Sequence, residues 1–346
     1  MTGVVVACSA GPQFVYVANR NDNTVSAYAV NATTGALTPV TGSPFATGSS
    51  PEAVTINATG TFAYVANFGG NSISVYAIDP ATGALTPVTG SPFATGTYTG
   101  PDSIAINAAD TFAYVTDNDN HTVSAYAIDA ATGALTPVAG SPYSGGGLSF
   151  PDSVALNPAG TFVYASNFNG GVTAYTVDAT TGALTLMTGS PFATGNNPQA
   201  IVVNPAGTFA YVANLNGGVS AYGIDATTGA LTPAGSAVAT GSNPAAIAIN
   251  PAGTFAYLVG NGSDSVLACS IDPTTGALTP VGAAVAAGSS PISAAVSPSG
   301  TFVYVANQGG GVSGYRIDAT TGALTSLAGS PFAAGNGPRS VAVAQP

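Results

Sequence analysis

The chain of 346 residues has no lysine, three arginines (Arg20, Arg316 and Arg339), thirteen aspartates and the single glutamate Glu52, for a net charge of −11. That balance excludes a nucleic-acid-binding protein, because neutralising phosphates takes many cationic side chains, and it argues against electrostatic docking on anionic lipid. No run of about 20 apolar residues exists to cross a membrane as a helix, and only 5% of residues are charged where about a quarter is usual; a surface built of Thr, Ser, Asn, Gly and Ala suits an extracytoplasmic (periplasmic, secreted or cell-surface) protein.

Residues 1–12 stand apart from the rest of the chain. Val5-Val6-Ala7-Cys8, then Ser9-Ala10-Gly11, resembles the cleavage site of a bacterial lipoprotein signal peptide, which makes Cys8 a candidate lipidated residue and a lipid anchor a candidate attachment. The preceding residues lack a basic region and a full apolar stretch, and Val4 to Cys8 reads equally as a β-strand. The other cysteine, Cys269, stands where the remaining repeats carry Tyr28, Tyr76, Tyr126, Tyr175, Tyr222 and Tyr315. It reads as a buried, inert thiol.

From residue 13 to 346 one sentence is written seven times. Phe14, Phe62, Phe112, Phe162, Phe209, Phe255 and Phe302 head the copies, with spacings of 48, 50, 50, 47, 46 and 47 residues. A period of this size built of short β-rich runs and Gly-rich turns predicts a β-propeller occupying residues 13–346 as one domain. Within Pro198 to Gly241 four runs are separated by Pro205-Ala-Gly207, Asn216-Gly-Gly218 and Ala226-Thr-Thr-Gly229. They predict a four-stranded antiparallel meander, strands a to d from the axis outward. Strands a to c are nearly continuous in apolar residues and are expected to be buried on both faces. Strand d carries proline, as in Pro87 and Pro137, which suits an exposed edge. The turn between c and d reads Asp-x-x-Thr-Gly-Ala-Leu, with Asn31 replacing Asp once. Its carboxylate can accept from backbone N–H groups, so Asp79, Asp129, Asp178, Asp225, Asp272 and Asp318 are structural. The last stretch, Gly337 to Ala344, repeats the strand-a sentence. It is expected to complete the first blade, closing a ring of seven.

Tyr-Val-Ala-Asn after Pro-x-Gly, followed by Val-Ser-x-Tyr-x-Ile-Asp, resembles the YVTN-type repeat. Together with Thr-Gly-Ala-Leu-Thr-Pro and Gly-Ser-Pro-Phe-Ala-Thr-Gly it is similar to the bacterial seven-bladed lactonase family, which includes the 6-phosphogluconolactonase-type propellers. The resemblance spans Gln13 to Ala344. It implies lactone hydrolysis as in some members, or a binding role at the cell surface as in others. Other lactonase propellers bind calcium through channel acids; the Glu52, Asp102 and Asp152 arc is chemically similar, and no shared motif carries those ligand roles onto these residues.

The meander puts the d–a and b–c loops on one face of the disc. There, the residue after the Pro that opens strand a reads, blade by blade, Glu52, Asp102, Asp152, Gln199, Ala245, Ile292 and Arg339. The repeat does not need acid at this position, since Ala and Ile also serve. The b–c loop of blade 3 adds Asp117, Asp119 and His121, and that of blade 1 adds Arg20. Three readings are open. Glu52, Asp102, Asp152, Asp117 and Asp119 could hold a hard cation such as Ca²⁺, which favours several carboxylate oxygens. Glu52, Asp102, Asp152, Gln199, Arg339 and Arg20 could bind a small-molecule or carbohydrate ligand. Or the charges are a solvated face. For catalysis the candidates are His121, as a general base beside Asp117 or Asp119, and Glu52. Two functions are consistent with these residues: an exported module that binds a ligand or a surface protein partner, or a lactonase. A phosphorylated substrate needs cationic anchors, and this face offers only Arg20 and Arg339, so a neutral or weakly anionic sugar lactone is expected.

Overall fold

A computed structural model describes residues 11–145 and 147–346; Cys8 and the segment around it lie outside the described residues. The chain forms seven antiparallel meanders. Their inner strands are Pro51–Ile56, Pro101–Ile106, Pro151–Leu156, Pro198–Val203, Pro244–Ile249, Pro291–Val296 and Pro338–Ala344. Each inner strand packs against the next, and the seventh returns to the first, so they ring a central channel. Blade 1 is composite, as the sequence predicts: its inner strand Pro338–Ala344 pairs antiparallel with Phe14–Asn19, with Phe14 opposite Ala344 and Val17 opposite Val341. The two ends of the described chain thereby lock one another. No helix among the described residues is long and apolar enough to cross a membrane.

Strand b is buried along its length in six of the seven blades, as expected for a sheet covered on both faces by neighbouring blades. Strand a departs from that expectation. Many of its residues are only half-buried, four of six in Pro101–Ile106, because one edge and part of one face look into the channel. Strand d is also more broken than the sequence suggests. A three-residue piece such as Leu85–Pro87 pairs with the far half of strand c, and a second piece such as Phe93–Ala94 pairs with the near half. The intervening Ser-Pro step, cis at Ser91-Pro92, interrupts it. The prolines Pro39, Pro87 and Pro137 sit exposed on this outer edge, where no N–H is required.

The blades are tied to one another by the same residues that define the repeat. The phenolic O–H of Tyr64 donates to the carbonyl of Gly133 in the next blade, at 3.2 Å, and Tyr16, Tyr114, Tyr164, Tyr211 and Tyr304 do likewise to Gly83, Gly182, Gly229, Gly276 and Gly35. Burial pushes these phenols well above their ordinary range, which keeps them neutral donors. The turn glycine is required twice over. Gly133 has φ +73°, and a Cβ there would lie 2.6 Å from the Phe62 ring of the preceding blade. The adjoining Asp129 accepts from the Ala131 and Thr132 amides at 3.1 and 2.9 Å, the turn role expected of it. Asp110 adds a single cross-link that the other blades lack. It holds a left-handed conformation (φ +55°), and its carboxylate accepts from the Asn57 side chain, the Ala58 and Thr59 amides and the Thr59 hydroxyl of the preceding blade.

Candidate functional site

The residue that varies from blade to blade owes its freedom to a defect in the ladder. In blade 3 Pro101 faces Asp117 and Ser103 faces Thr116, leaving Asp102 opposite no residue. The same β-bulge recurs at Glu52, Asp152, Gln199, Ala245, Ile292 and Arg339. A bulged residue leaves the pairing register and its side chain is re-aimed. Here all seven side chains line one cavity of about 260 Å³ at the mouth of the channel, together with Ser103, Ser153, Ser293 and Ser340. Those serines sit one position further along strand a. Each accepts a hydrogen bond from an amide of the following blade, for example Val154 N to Ser103 Oγ and Ile201 N to Ser153 Oγ, both 3.3 Å. Each hydroxyl therefore keeps its own proton to donate into the cavity.

Charge in the mouth is unevenly spent. Glu52, with its side chain only 4% exposed, is held between two guanidiniums: Arg20 Nε lies 2.8 Å from Oε1, and Arg339 Nε donates to Oε2. This ion triad, buried only at its carboxylate, occupies both cations on this side of the disc. Asp102 is left without a cationic partner. Burial, then the charges of Glu52 and Asp152, push its carboxyl well above the usual range, against a smaller pull from Arg339 and Arg20. Asp152 accepts from Asn118 Nδ2 at 2.8 Å. Burial lifts its carboxyl to about 7, while the Asn118 bond and Arg339 oppose the rise. Two acids with raised affinities for protons thus project from adjacent blades into one recess.

Asn118 belongs to a second ring that the sequence reading overlooked. The residue after each strand b is Arg20, Phe68, Asn118, Phe168, Leu215, Asn261 and Gln308. Its amide donates to the residue before the strand-a proline of its own blade, as Arg20 N does to Gly337 O at 2.9 Å and Asn118 N to Gly100 O at 3.0 Å. Its side chain reaches the next blade: Arg20 to Glu52, Asn118 to Asp152, Asn261 to the Pro291 carbonyl. The signal was present, since this position changes from copy to copy while the Asn before it hardly does.

Other expected residues are placed elsewhere. Asp117 does not face the mouth. It is fully buried at the end of its strand b, where Thr122 and Ser124 hydroxyls donate to its Oδ2 at 3.0 and 2.6 Å. Asp119 is exposed on its loop. Among the described residues no three acidic, thiol or imidazole side chains gather as a metal site. With Glu52 bound to two arginines and Asp117 turned into its blade, the five carboxylates expected to hold Ca²⁺ are not assembled, and the donor set does not fit that ion. His121 adopts φ +57° and packs on the Phe150 ring, with centroids 4.4 Å apart. Among the described residues it pairs with neither Asp117 nor Asp119, and it does not line the mouth, so the expected His–Asp base is not formed. Glu52 is likewise engaged by its arginines rather than free to act on a substrate. Cys269 is buried as expected, its thiol pushed up to about 12 by burial.

Fold and mouth together define a seven-bladed propeller with a ligand-sized acidic recess on its axis. The model of the family described as "Lactonase, 7-bladed beta-propeller" matches four overlapping stretches, residues 5–92, 41–150, 99–243 and 236–343. The chain belongs to this lactonase family. A comparison with curated protein sequences finds no match. Among solved structures, a candidate 6-phosphogluconolactonase from Bacteroides fragilis is similar at 21% identity and TM-score 0.81, covering 97% of this chain and 99% of that one. A second candidate 6-phosphogluconolactonase, from Bacteroides uniformis, gives 18% and 0.79, covering 96% and 99%. The periplasmic gluconolactonase PpgL of Pseudomonas aeruginosa gives 20% and 0.78, covering 97% and 100%. At these identities the likeness is one of fold.

Proposed function

We propose that the protein hydrolyses an uncharged sugar lactone at the channel mouth. The observation that carries this is the pair Asp102 and Asp152, two carboxyls pushed up by burial that share one cavity with Gln199 and proton-bearing serines. Asp152, its carboxyl lifted to about 7 by burial, takes a proton from water as the water oxygen adds to the lactone carbonyl. The Ser103 and Ser153 hydroxyls donate to the developing oxyanion. As the carbonyl–ring oxygen bond breaks, protonated Asp102 gives its proton to the leaving alkoxide. The product is a hydroxy acid, and the proton on Asp152 returns to Asp102 through solvent. Glu52 positions Arg339 and Arg20, and takes no part in proton transfer.

Substrate charge follows from the same geometry. A phosphate in this mouth would meet acids while both arginines are bound to Glu52, so a neutral lactone is favoured. Family membership supports the reaction class, and the relative named a gluconolactonase supports the substrate class. That relative is also named periplasmic, which with the low surface charge supports an extracytoplasmic location. The test is hydrolysis of D-glucono-1,5-lactone and its 6-phosphate over pH 5–9. Turnover of the neutral lactone should rise with an apparent pKa near 7, and Asp152→Asn should abolish that limb. Absence of turnover above the spontaneous rate would leave a ligand-binding module as the reading, and faster turnover of the phosphate ester would overturn the charge argument.

A further inference from the structure

The hairpins that follow strand b are not all the same length. Four residues separate Asn167 from Val172 in blade 4 and Asn214 from Val219 in blade 5, against five between Asn67 and Ile73 in blade 2. The four-residue hairpins all end in a glycine pair, Gly170-Gly171, Gly217-Gly218 and, in blade 7, Gly310-Gly311, and only the first two lie on adjacent blades. The missing residue and missing side chains lower the wall between these blades. A groove of about 470 Å³ opens there, larger than the mouth itself, and no charged side chain lines it. Pro198 lines the groove and Gln199 lines the mouth. The two cavities therefore lie on either side of the bulge of blade 5, one against Pro198 and the other against Gln199.

The groove is chemically unlike the mouth. Asn197 is spent on structure: its Nδ2 donates to the Phe168 carbonyl at 3.1 Å, and its Oδ1 accepts from Asn216 Nδ2 at 3.2 Å. Asn169 and Asn196 make no side-chain hydrogen bond to the protein among the described residues. Each therefore offers a carboxamide that both donates and accepts. The half-buried Phe168 supplies an aromatic surface beside them. Neutral donors and acceptors next to one ring, with glycine leaving peptide groups accessible, match a hydroxyl-rich uncharged ligand. An anion finds no cation here, and a cation finds no carboxylate.

We propose that this groove is a second subsite that takes an uncharged glycosyl unit, so that the ligand is a disaccharide or longer sugar whose lactone end enters the mouth. The position of the lactone end rests on the proposed hydrolysis; the glycosyl site itself does not. The experiment compares D-glucono-1,5-lactone with cellobiono- and maltobiono-1,5-lactone, on wild type and on Asn169→Ala/Asn196→Ala. At least one disaccharide lactone should show kcat/KM about ten-fold above gluconolactone, a gain expected from two added hydrogen bonds. The double variant should remove that advantage and leave gluconolactone turnover unchanged. Equal kcat/KM for one and two sugar units, or an advantage that survives the double variant, overturns the proposal. A parallel NMR titration with cellobiose and maltose reads the groove without catalysis. Shifts at the Gly170, Gly171 and Asn196 amides, lost in the double variant, support the subsite even if no lactone is turned over, in which case it is the hydrolysis that fails. No shift at those amides with either sugar overturns the subsite.

Discussion

Replacing Asp117 by Asn should stabilise the protein, and only above a defined pH. Five blades end strand b with Asn: Asn19, Asn67, Asn167, Asn214 and Asn307. In blade 2 Asn67 Nδ2 donates to Ser72 and Ser74 hydroxyls at 3.1 and 2.9 Å. In blade 3 the polarity is reversed, with Thr122 and Ser124 donating to Asp117, and the second carboxylate oxygen has no partner among the described residues. Burial raises this carboxyl from 3.8 to about 6, against the opposing pull of Ser124 and Thr122. A rise of roughly two units corresponds to about 3 kcal/mol of instability in the ionised form. Reorienting two hydroxyls recovers hydrogen bonds in the variant, so the net gain expected is about 1–3 kcal/mol, or about 1–4 °C in Tm for a domain of this size. Because the folded-state pKa lies above the unfolded one, the folded chain holds more protons between about pH 4 and 6, and its stability falls as pH rises through that window. The gain from Asp117→Asn should therefore be full above pH 6 and vanish below pH 4. Circular-dichroism melts at pH 4 and pH 8 measure it. A gain of equal size at both pH values, or none at pH 8, refutes the assignment of a strained buried charge.

Three further outcomes test the architecture. Deleting residues 338–346 removes the inner strand of blade 1 and exposes the edge of Phe14–Asn19 together with buried Val341 and Ala344; six backbone pairings at about 1 kcal/mol each approach the whole stability of a typical domain, so the truncated chain should not show a cooperative melt near that of wild type, and an unchanged Tm would sink the closure. Gly133→Ala should cost about 2–4 kcal/mol, from its left-handed backbone and its collision with Phe62. Gly235→Ala, at φ +81° with no atom within 4 Å, should cost only about 1 kcal/mol, and equal Tm losses for the two would refute the packing argument. Asp110→Ala removes four hydrogen bonds to a carboxylate that joins blades 2 and 3; urea unfolding should register a loss of about 2 kcal/mol, whereas a neutral effect would deny the cross-link its role.

The sequence makes the ring legible because the repeat carries its own punctuation: seven phenylalanines mark the blades, and the strand-like sentence Gly337 to Ala344 announces the closure. The variable position after the strand-a proline is readable for the same reason, since Glu52, Asp102 and Asp152 stand out against Ala245 and Ile292. What lay beyond reach were directions and partners. Whether Asp117 points to the channel or into its blade depends on whether strand b runs on to include it, and it does, pairing with Thr122 in unbroken register, whereas the sequence reading places it in the loop. The pairing of Glu52 with Arg339 spans 287 residues and depends on ring closure as well as on side-chain reach, so proximity in the alignment of repeats shows adjacency without showing which charge is spent on which. His121 illustrates a different limit. A polar loop residue is drawn to the nearest apolar ring, here Phe150, and loop sequence alone does not disclose that partner.

The bulge that frees Glu52, Asp102, Asp152, Gln199, Ala245, Ile292 and Arg339 from the ladder separates inheritance of shape from inheritance of chemistry. Duplication of a blade copies the pairing on either side of the bulge and leaves one uncommitted socket per copy. Those sockets can then drift one at a time, because no backbone hydrogen bond of the sheet reads what fills them. Chain duplication thus assembles a ring of independently adjustable positions around a single recess, and new specificity can arise by substitutions that the blade itself scarcely feels. A library randomised at the neutral sockets Gln199, Ala245 and Ile292 alone, with the ion triad left intact, is the natural way to redirect this mouth to another ligand.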